Sequence, residues 1–419
     1  MIFAAYQHWT GRCFFAGALR YLVHKKKTYY GWQWVVDDMC VVRYFTRIVQ
    51  FLSCTSHKCN YQLLKMLSIL DYYWLVFLLT GIVSWALTGF LRRYALAGNL
   101  IDMPNERSSH SVPTPRGGGV AIVLSFLAIL LVLNAGGWLS NPHGLALWGA
   151  GGAVAVTGFL DDHRHIAARW RLTVHFAAAV WGLYWLGGLP PLVAFDTVLD
   201  LGWLGYVGAA VYIVWLLNLY NFMDGIDGLA GVEAITACCS AAVWTWLVVP
   251  GSNAWLLPVL LAAAVFGFLI WNFPPARIFM GDAGSGFLGI MLALLSLQSA
   301  GLASRLLWVW LILLGVFIVD ASATLCRRVV RGEAFYEAHC NHAYQYASRY
   351  FGAHRPVTLA VCAINMLWLT PIAGLVALAA LDGLLGLVAA YLPLLWLAYR
   401  YKAGDRQAQT RQPETDQLN

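Results

Sequence analysis

The chain has 419 residues, of which 60% are hydrophobic, 14% aromatic and only 11% charged. Soluble globular proteins carry charge on about a quarter of their residues, so this composition excludes a soluble fold. The formal net charge of +7 arises entirely in residues 1–65, which hold nine Lys/Arg and two Asp, whereas the remaining residues carry eighteen charges of each sign. Because the rest of the chain is neutral, nothing in it calls for a nucleic-acid partner.

A helix that crosses a lipid bilayer needs about 20 mostly apolar residues. From residue 72 to residue 400 the chain supplies about eleven such stretches, separated by short polar segments. The predicted fold is therefore an all-α integral membrane protein, a polytopic bundle of about eleven transmembrane helices. In chain order the helices are predicted at 72–93, 118–136, 144–160, 172–187, 203–220, 229–249, 254–272, 284–300, 306–325, 356–380 and 383–399.

Basic residues predict the orientation of these helices. Of the eighteen Lys/Arg that follow residue 65, seventeen lie in connections after odd-numbered helices or after the last helix, and Arg305 is the exception. Lys and Arg concentrate in cytoplasmic loops of membrane proteins. Those connections and the C-terminal tail are therefore assigned to the cytoplasm.

The basic segment 1–65 breaks this rule, because it would lie on the far side of the membrane. It also lacks the order of charge, apolar run and cleavage site of a signal peptide. We predict that 1–65 is an N-terminal extension outside the fold, either an appended segment or a mis-assigned translation start with Met66 as the first residue. Residues 66–403 form the predicted membrane domain, and 404–419 form a polar cytoplasmic tail.

Acidic residues mark one side of the predicted bundle. A carboxylate at the centre of a membrane helix costs about 2.5 to 3.5 kcal/mol, so such residues usually face a cavity or a site. The exterior carboxylates Asp196, Asp200 and Asp382 stand among apolar and Gly residues and are interpreted as solvated loop charges. The others lie at helix ends assigned to the cytoplasm and predict a site on that side: Asp102, Asp161, Asp162, Asp224, Asp227 and Asp282.

Two segments combine oxygen-bearing side chains at regular spacing. In G-F-L-D-D-H (158–163) two adjacent carboxylates need a metal, a basic partner or water, although a solvated helix end would also explain them. In N-L-Y-N-F-M-D-G-I-D-G-L-A-G (218–231) four such side chains recur every three residues and so lie on one side of a helix end. Hard oxygen ligands of this kind suit Mg²⁺ or Mn²⁺. The four are Asn218, Asn221, Asp224 and Asp227.

Two further segments suit phosphate. In W-N-F-P-P-A-R-I-F-M-G-D-A-G-S-G-F-L-G (271–289) Gly residues bracket Asp282 just before a helix, where backbone amides and the positive helix end attract anions. The loop after the ninth helix contains R-R-V-V-R-G-E-A-F-Y-E-A-H-C-N-H-A-Y-Q (327–345). We rank phosphate binding by its Arg and His above a zinc site. A basic loop that only sets topology remains the alternative.

At these segments, and at D-M-P-N-E-R-S-S-H-S-V-P-T-P-R-G-G-G (102–119), the sequence resembles the polyprenyl-phosphate N-acetylhexosamine-1-phosphate transferase family over about residues 70–400. This family includes enzymes that initiate O-antigen and enterobacterial common antigen, and the phospho-MurNAc-pentapeptide transferase. The resemblance implies transfer of an N-acetylamino-sugar 1-phosphate from a UDP-sugar to undecaprenyl phosphate, with release of UMP and with Mg²⁺ or Mn²⁺ as cofactor. It implies a multi-pass protein of the bacterial inner membrane, and leaves a homodimer open.

The resemblance also implies roles for individual residues. Asp161 and Asp162 correspond to an acidic pair, one of which deprotonates or orients the lipid phosphate, while Asp224 and Asp227 complete the catalytic carboxylates. Asp282 corresponds to a magnesium ligand, with Asp227 as a second. Phe279 corresponds to a ring that stacks on uracil. The other expected substrate-binding residues are Asn218, Asn221, Asn272, Arg116, Arg171, Arg328, Arg331, His339 and His342.

Departures from the family pattern narrow the expectation. The segment A-H-C-N-H-A-Y-Q (338–345) lacks the run of consecutive His of the peptidoglycan enzyme, and His165 stands where that branch has Lys. Both differences favour a simple donor sugar such as GlcNAc, FucNAc or QuiNAc over a muramyl-pentapeptide. The main alternative is a membrane transporter with a cytoplasmic-side acidic cation site. Transporter sites lie near the bilayer midplane in repeated halves, a pattern that this sequence does not show.

Overall fold

The computed structural model describes residues 57–104, 112–164, 166–333 and 341–405. The chain divides into two compact units, Met1–Leu70 and Asp71–Asn419. Of the first unit, the description covers only the beginning of helix α1 (His57–Ala97). This helix starts inside the segment predicted to lie outside the fold. The remainder of that segment, residue 165 and the polar tail from 406 lie outside the described residues.

The second unit is built almost entirely from helices, with two short antiparallel hairpins. The first hairpin pairs β1 (Ile101–Asp102) with β2 (Thr114–Pro115), and the second pairs β3 (Leu192–Ala194) with β4 (Thr197–Leu199). The helices after α1 are α2 (Val120–Ala135), α3 (Asn141–His163), α4 (Ala168–Leu186), α5 (Gly202–Met223), α6 (Leu229–Val248), α7 (Leu256–Asn272), α8 (Asp282–Leu302), α9 (Arg305–Leu313), α10 (Gly315–Val330), α11 (Ala343–Phe351), α12 (His354–Ile364), α13 (Thr370–Ala377) and α14 (Gly383–Arg400).

The predicted class, an all-α polytopic membrane protein, is confirmed. Within the described residues seven helical segments are long and apolar enough to cross a membrane, and the bent pair α9–α10 makes an eighth if it counts as one span. Helices α2 and α7 are shorter apolar helices. Each of the eleven predicted ranges overlaps a helix, whereas the count of eleven spans remains a prediction.

Two predicted helices are interrupted, and one buried carboxylate lies between the interruptions. The range 306–325 is split into α9 and α10, which are bent by 71°, and a π-helical turn over Asn365–Leu369 separates α12 from α13. Glu233 on α6 is fully buried and accepts hydrogen bonds from the side chain of Asn365, at 2.6 Å, and from the backbone of Phe317 at the start of α10. Irregular backbone inside a membrane requires such internal partners.

Helix α8 forms the centre of the unit and packs most extensively against α3 and α5. Almost every residue of α8 is buried, and small residues permit its close packing. At Gly158 on α3, an added Cβ would lie 2.5 Å from the carbonyl oxygen of Asp282. The ends of α3 and α5 therefore meet the first residues of α8, which brings the acidic segments together.

The β3–β4 hairpin lies at the opposite ends of α4 and α5. The carbonyl oxygen of Val193 in this hairpin accepts from the Trp308 indole, and the backbone N–H of Phe195 donates to the Asp382 carboxylate. The same carboxylate also caps the first turn of α14. Asp200 accepts from the backbone of Gly202. The carboxylates of Asp200 and Asp382 are thus loop and helix caps, which is a more specific structural role than the predicted solvated charges.

Candidate active site

Asp162 joins the end of α3 to the start of α8. Its side chain is only 4% exposed, and it accepts a hydrogen bond from Arg116 at 2.5 Å. It also accepts from the backbone N–H groups of Asp282 and Ala283 at 3.1 and 3.3 Å, so it caps the positive end of α8. The two backbone bonds fix the start of α8, the helix that carries Asp282, and the Arg116 bond holds the Asp162 carboxylate in place. The geometry gives Asp162 a positioning role within the predicted acidic pair.

Asp161 faces a different set of donors. It accepts from the Arg171 guanidinium at 2.6 Å and from the backbone N–H of Ile166 at 2.7 Å. The same guanidinium lies 3.7 Å from Oδ2 of Asp282. The 2.6 Å hydrogen bond between Arg171 and Asp161 joins two charged groups, and such bonds are among the stronger ones in proteins. Arg171 therefore links two of the predicted site carboxylates.

Asp282 is the most accessible of these three carboxylates, with a side chain that is 34% exposed. Asn221, at the end of α5, donates from one Nδ2 to Oδ1 of Asp282 at 3.1 Å and to Ser285 at 3.0 Å. These contacts fix the carboxylate while leaving part of it open. Such a group can bind a cation or a ligand at modest reorganisation cost.

Asp224 and Asp227 lie on the turn between α5 and α6. Burial, followed by the charges of Asp282, Asp162 and Asp227, raises the pKa of Asp224 well above its usual range. Asp227 accepts from the backbone of Ala276 at 2.9 Å and lies 3.1 Å from Nδ1 of His354. This turn therefore brings further carboxylates beside Asp282.

Three cavities meet at these residues. A polar cavity of about 230 Å³ is lined by Asp102, Arg116, Asn221, Asp224, Asp227, Phe279, Asp282, Gln345 and His354, among others. A mostly apolar cavity of about 340 Å³ shares Asn221 and Asp282 with it and also reaches Asp161, Arg171 and Asn218. A third, open cavity of about 600 Å³ shares Asp227, Phe279 and His354 with the first and adds Arg349 and Arg355. Asp282 thus lies on the boundary between a polar and an apolar cavity.

Other predicted residues have different surroundings. Asn272 is buried, and its side-chain amide bonds to the backbone. It accepts from the N–H of Gly228 and donates to the carbonyl oxygen of Ile278. Asn218 donates to the carbonyl oxygen of Val214. Both residues therefore support the backbone near the cavities, and Asn272 does so at the turn that carries Asp227.

The basic loop is only partly brought to the cavities. Within the described residues Arg328 pairs with Glu333, and Arg331 donates to the carbonyl oxygen of Gly404. His342 is buried and lies 3.4 Å from Asp320, whose carboxylate accepts from the first two backbone N–H groups of α11. His339 lies outside the described residues.

A divalent cation fits the chemistry of the polar cavity. No three His, Cys, Asp or Glu side chains within the described ranges converge as a complete metal cage. Mg²⁺, however, is commonly held by one or two carboxylates and completes its shell with water and substrate phosphates. Asp282 and Asp227 line the same cavity, beside the Asp224 carboxyl whose pKa is raised by burial and, less strongly, by its anionic neighbours. The donor set fits Mg²⁺ better than a metal that prefers a closed cage.

Sequence reasoning missed several residues that line these cavities. His354 and Gln345 belong to α12 and α11, far along the chain from the acidic motifs, and His175 lies on α4 beside Arg171. None of the three stands in a spacing that indicates a site by itself. A weak signal exists for His175, because it follows Arg171 by four residues and so lies on the same face of α4.

The membrane fold and its one-sided cluster of carboxylates and arginines define a membrane-embedded enzyme, and comparison with known proteins identifies its family. The family model for glycosyl transferase family 4 matches residues 144–300. A probable undecaprenyl-phosphate N-acetylglucosaminyl 1-phosphate transferase of Bacillus subtilis is 30% identical over 304 residues, which cover 70% of this chain and 81% of that protein.

Two other relatives extend this comparison. A decaprenyl-phosphate N-acetylglucosaminephosphotransferase of Mycobacterium tuberculosis is 30% identical over 319 residues, covering 68% of this chain and 78% of the relative. A phospho-N-acetylmuramoyl-pentapeptide-transferase of Thermosynechococcus vestitus is 31% identical over 274 residues, covering 61% and 69%. The chain belongs to the polyprenyl-phosphate N-acetylhexosamine-1-phosphate transferase family, and its activity is that of a membrane phosphotransferase.

Proposed function

We propose that the protein transfers an N-acetylamino-sugar 1-phosphate from a UDP-sugar to undecaprenyl phosphate, releases UMP, and so starts a lipid-linked surface glycan of the O-antigen type. The observation that carries this proposal is the position of Asp282 on both the polar and the apolar cavity. A reaction that joins a water-soluble donor to a lipid acceptor needs such a boundary. Family membership indicates the chemical classes of the donor and the acceptor, and the two cavities offer space in which they can bind.

The polar and open cavities suit the nucleotide donor. Half-buried Phe279 borders both and can stack on the uracil ring. Arg116 lines the polar cavity and can neutralise phosphate charge, and Asp227 is held by Ala276 and His354 where the cavities meet. Donor specificity for a simple N-acetylamino sugar follows from the sequence departures. GlcNAc is the first candidate, since two of the relatives described above carry it in their names.

The apolar cavity suits the acceptor. Its walls are formed by side chains of α4 and α5, and Arg171 lies at its polar end, within reach of Asp282. A prenyl chain can occupy the apolar part while its phosphate approaches Arg171. This arrangement supports an acceptor phosphate that binds next to the cavity proposed for the donor diphosphate.

In the proposed reaction an oxygen of the lipid phosphate attacks the β-phosphorus of the donor. A new P–O bond forms there, and the bond from the β-phosphorus to the bridging oxygen breaks, so that UMP leaves with that oxygen. The acceptor needs little base catalysis, because a phosphate monoester with a second pKa of about 6 is largely ionised at neutral pH. Asp161, already bonded to Arg171, orients that guanidinium toward the acceptor.

We further propose that Asp282 and Asp227 hold Mg²⁺, with Mn²⁺ as a substitute. When bound, the cation neutralises charge on the donor diphosphate. The protein residues position the two substrates and keep bulk water from the apolar cavity. We place the enzyme in the bacterial inner membrane with this site at the cytoplasmic side, where the positive loops assign it.

A change of pH is expected to alter the apparent affinity for Mg²⁺. The pKa of Asp224 is raised, so this carboxyl retains a proton at higher pH than usual and a cation binding beside it displaces that proton. The affinity should therefore increase with pH over the range in which this carboxyl titrates, by up to about tenfold per pH unit for one displaced proton. Mg²⁺ titrations of activity at several pH values would measure this dependence.

Two matched variants distinguish the effect of the Asp224 carboxyl on Mg²⁺ affinity from the general effect of removing one negative charge. Asp224→Asn should flatten the pH dependence, whereas Asp200→Asn at the opposite end of the bundle should leave it unchanged. A wild-type requirement for Mg²⁺ that does not vary with pH would contradict the proposed neighbourhood of cation and carboxyl.

The lipid product tests the proposed function. The purified protein is incubated with undecaprenyl phosphate, Mg²⁺ and a panel of UDP-N-acetylamino sugars, and the lipids are analysed by mass spectrometry. The expected product has gained one N-acetylamino-sugar phosphate, and the best donor names the sugar. An acceptor whose mass is unchanged with every donor, in protein shown to be folded, would overturn the proposal.

A further inference from the structure

His175 lies in the apolar cavity between α4 and α5, and the reaction described above assigns it no role. The residue is 8% exposed and belongs to the lining of the cavity. The Nδ1 atom is buried and has no hydrogen-bond partner among the described residues. Leaving a buried polar atom unpaired costs free energy, so an unpaired ring nitrogen in a cavity wall points to a ligand that pairs with it.

The surroundings of His175 define the chemistry of that ligand. Arg171 lies one helical turn earlier on the same face of α4, with its guanidinium between Asp161 and Asp282. Most of the remaining lining residues are apolar, among them Leu172, Phe176, Val211, Val214, Trp215 and Leu217. The cavity thus combines a polar, hydrogen-bonding part, formed by Arg171, His175 and the carboxylates of Asp161 and Asp282, with a mostly apolar remainder.

A molecule that satisfies both parts has an anionic oxygen-rich head and an apolar chain. A free inorganic phosphate would leave the apolar walls uncovered, and a prenyl alcohol has no anionic oxygens to offer Arg171 and His175. A prenyl phosphate covers both, since its head can bind Arg171 and its chain can cover the apolar walls.

We propose that His175 hydrogen-bonds to the phosphate of the lipid acceptor and, together with Arg171, fixes how far the prenyl chain enters the cavity. This inference rests on the proposed function, because it assigns a residue to the acceptor of that reaction. His175 is a binding and positioning residue for the acceptor. His175 does not line the polar or the open cavity proposed for the donor, so its replacement should affect acceptor binding and not donor binding.

The test compares two prenyl ligands that differ only in the phosphate. Farnesyl phosphate and farnesol are titrated into the purified full chain in detergent, and binding is followed by tryptophan fluorescence, for which Trp215 in the same cavity is a reporter. For His175→Leu the apparent Kd for farnesyl phosphate should increase about tenfold or more, while the Kd for farnesol changes less than about twofold. His175→Gln keeps a hydrogen-bonding side chain and should recover most of the affinity.

Kinetics with the full reaction provide the second measurement. The KM for undecaprenyl phosphate should increase in His175→Leu and the KM for the UDP-sugar should not. His143→Gln is the matched control. His143 lies at the start of α3, whereas Asp161 and Asp162 lie at its end, and its ring bonds to Ser140. That variant should match the wild type in both measurements.

The outcomes separate this inference from the proposed function. If the wild type binds farnesyl phosphate more tightly than farnesol and releases UMP, but His175→Leu and His175→Gln behave like it, the role of His175 is overturned and the proposed function stands. If the wild type neither prefers the phosphate nor releases UMP, both are overturned. If His175→Leu fails to fold, His175→Ala takes its place, because it also removes the hydrogen-bonding ring, and an unchanged Kd for farnesyl phosphate with an unchanged acceptor KM in that variant would overturn the inference.

Discussion

Replacing Asp282 by Asn is expected to lower kcat/KM for UMP release by about 10³-fold. The amide keeps the size of the side chain and can still bond to Asn221, but it removes the most exposed carboxylate on the boundary of the two cavities. Loss of a single preorganised electrostatic group in an active site commonly costs about 10²- to 10³-fold, and loss of a metal ligand belongs at the upper end. The measurement is steady-state UMP release over a range of Mg²⁺ concentrations.

Asp200→Asn is the matched control for this substitution. Asp200 caps a backbone N–H at the opposite end of the bundle, so its replacement removes the same charge without touching the site. The control should retain wild-type kcat/KM. Activity of Asp282→Asn within about twofold of wild type, with an unchanged Mg²⁺ requirement, would exclude Asp282 as a metal ligand.

The second large effect is expected from a single methyl group. Gly158→Ala places a Cβ 2.5 Å from the backbone oxygen of Asp282, where no flexible side chain can move away. Helix α8 must shift relative to α3, which displaces Asp282 from Arg171 and Asn221. Because a misplacement of about 1 Å can cost about 10²-fold in rate, we expect at least that loss in kcat. Overpacking of this kind also destabilises a fold by about 1 to 3 kcal/mol, so the melting temperature should fall.

Gly152→Ala provides a control on the same helix. An added Cβ at Gly152 meets nothing within 4 Å, so the substitution adds helix propensity without a clash. Its activity and melting temperature should equal or exceed those of the wild type. Equal behaviour of the two variants would show that α3 and α8 are not in close contact at the site.

The sequence was sufficient to predict the membrane class and the ends of helices at which acids gather. Asn221, Asp224 and Asp227 recur at helical spacing, and spacing within one segment is visible without a structure. The structure brings these residues next to Asp282, as the one-sided charge pattern indicates.

The partners of these residues could not be predicted, because they come from distant parts of the chain. Arg116 and Asp162 are 46 residues apart, and Arg331 and Gly404 are 73 apart. No local pattern reveals that Asp162 caps α8 or that Arg331 bonds to Gly404, just after α14. Such pairings depend on which helices pack together, and apolar helices in a membrane carry little sequence information about their neighbours.

The bends were missed for a related reason. The range 306–319 is apolar apart from Gly315, so its sequence does not reveal the bend between α9 and α10, beside which the backbone of Phe317 donates to a carboxylate from α6. Glu233 was not among the candidate residues because the every-third series of polar side chains ends at Asp227, and the apolar Ala230 stands at the next position of that register. Its significance becomes apparent only when Asn365 and Phe317 are seen around it.

UMP release with and without lipid tests the central proposal most directly. The purified full chain is supplied with a UDP-N-acetylamino sugar, undecaprenyl phosphate and Mg²⁺, and UMP is quantified as each component is omitted in turn. The account predicts UMP only when all three are present, loss of the signal with a chelator, and its return when Mg²⁺ is restored. UMP that forms equally without the lipid phosphate, or folded protein that forms none with any donor, would contradict transfer from the polar to the apolar cavity.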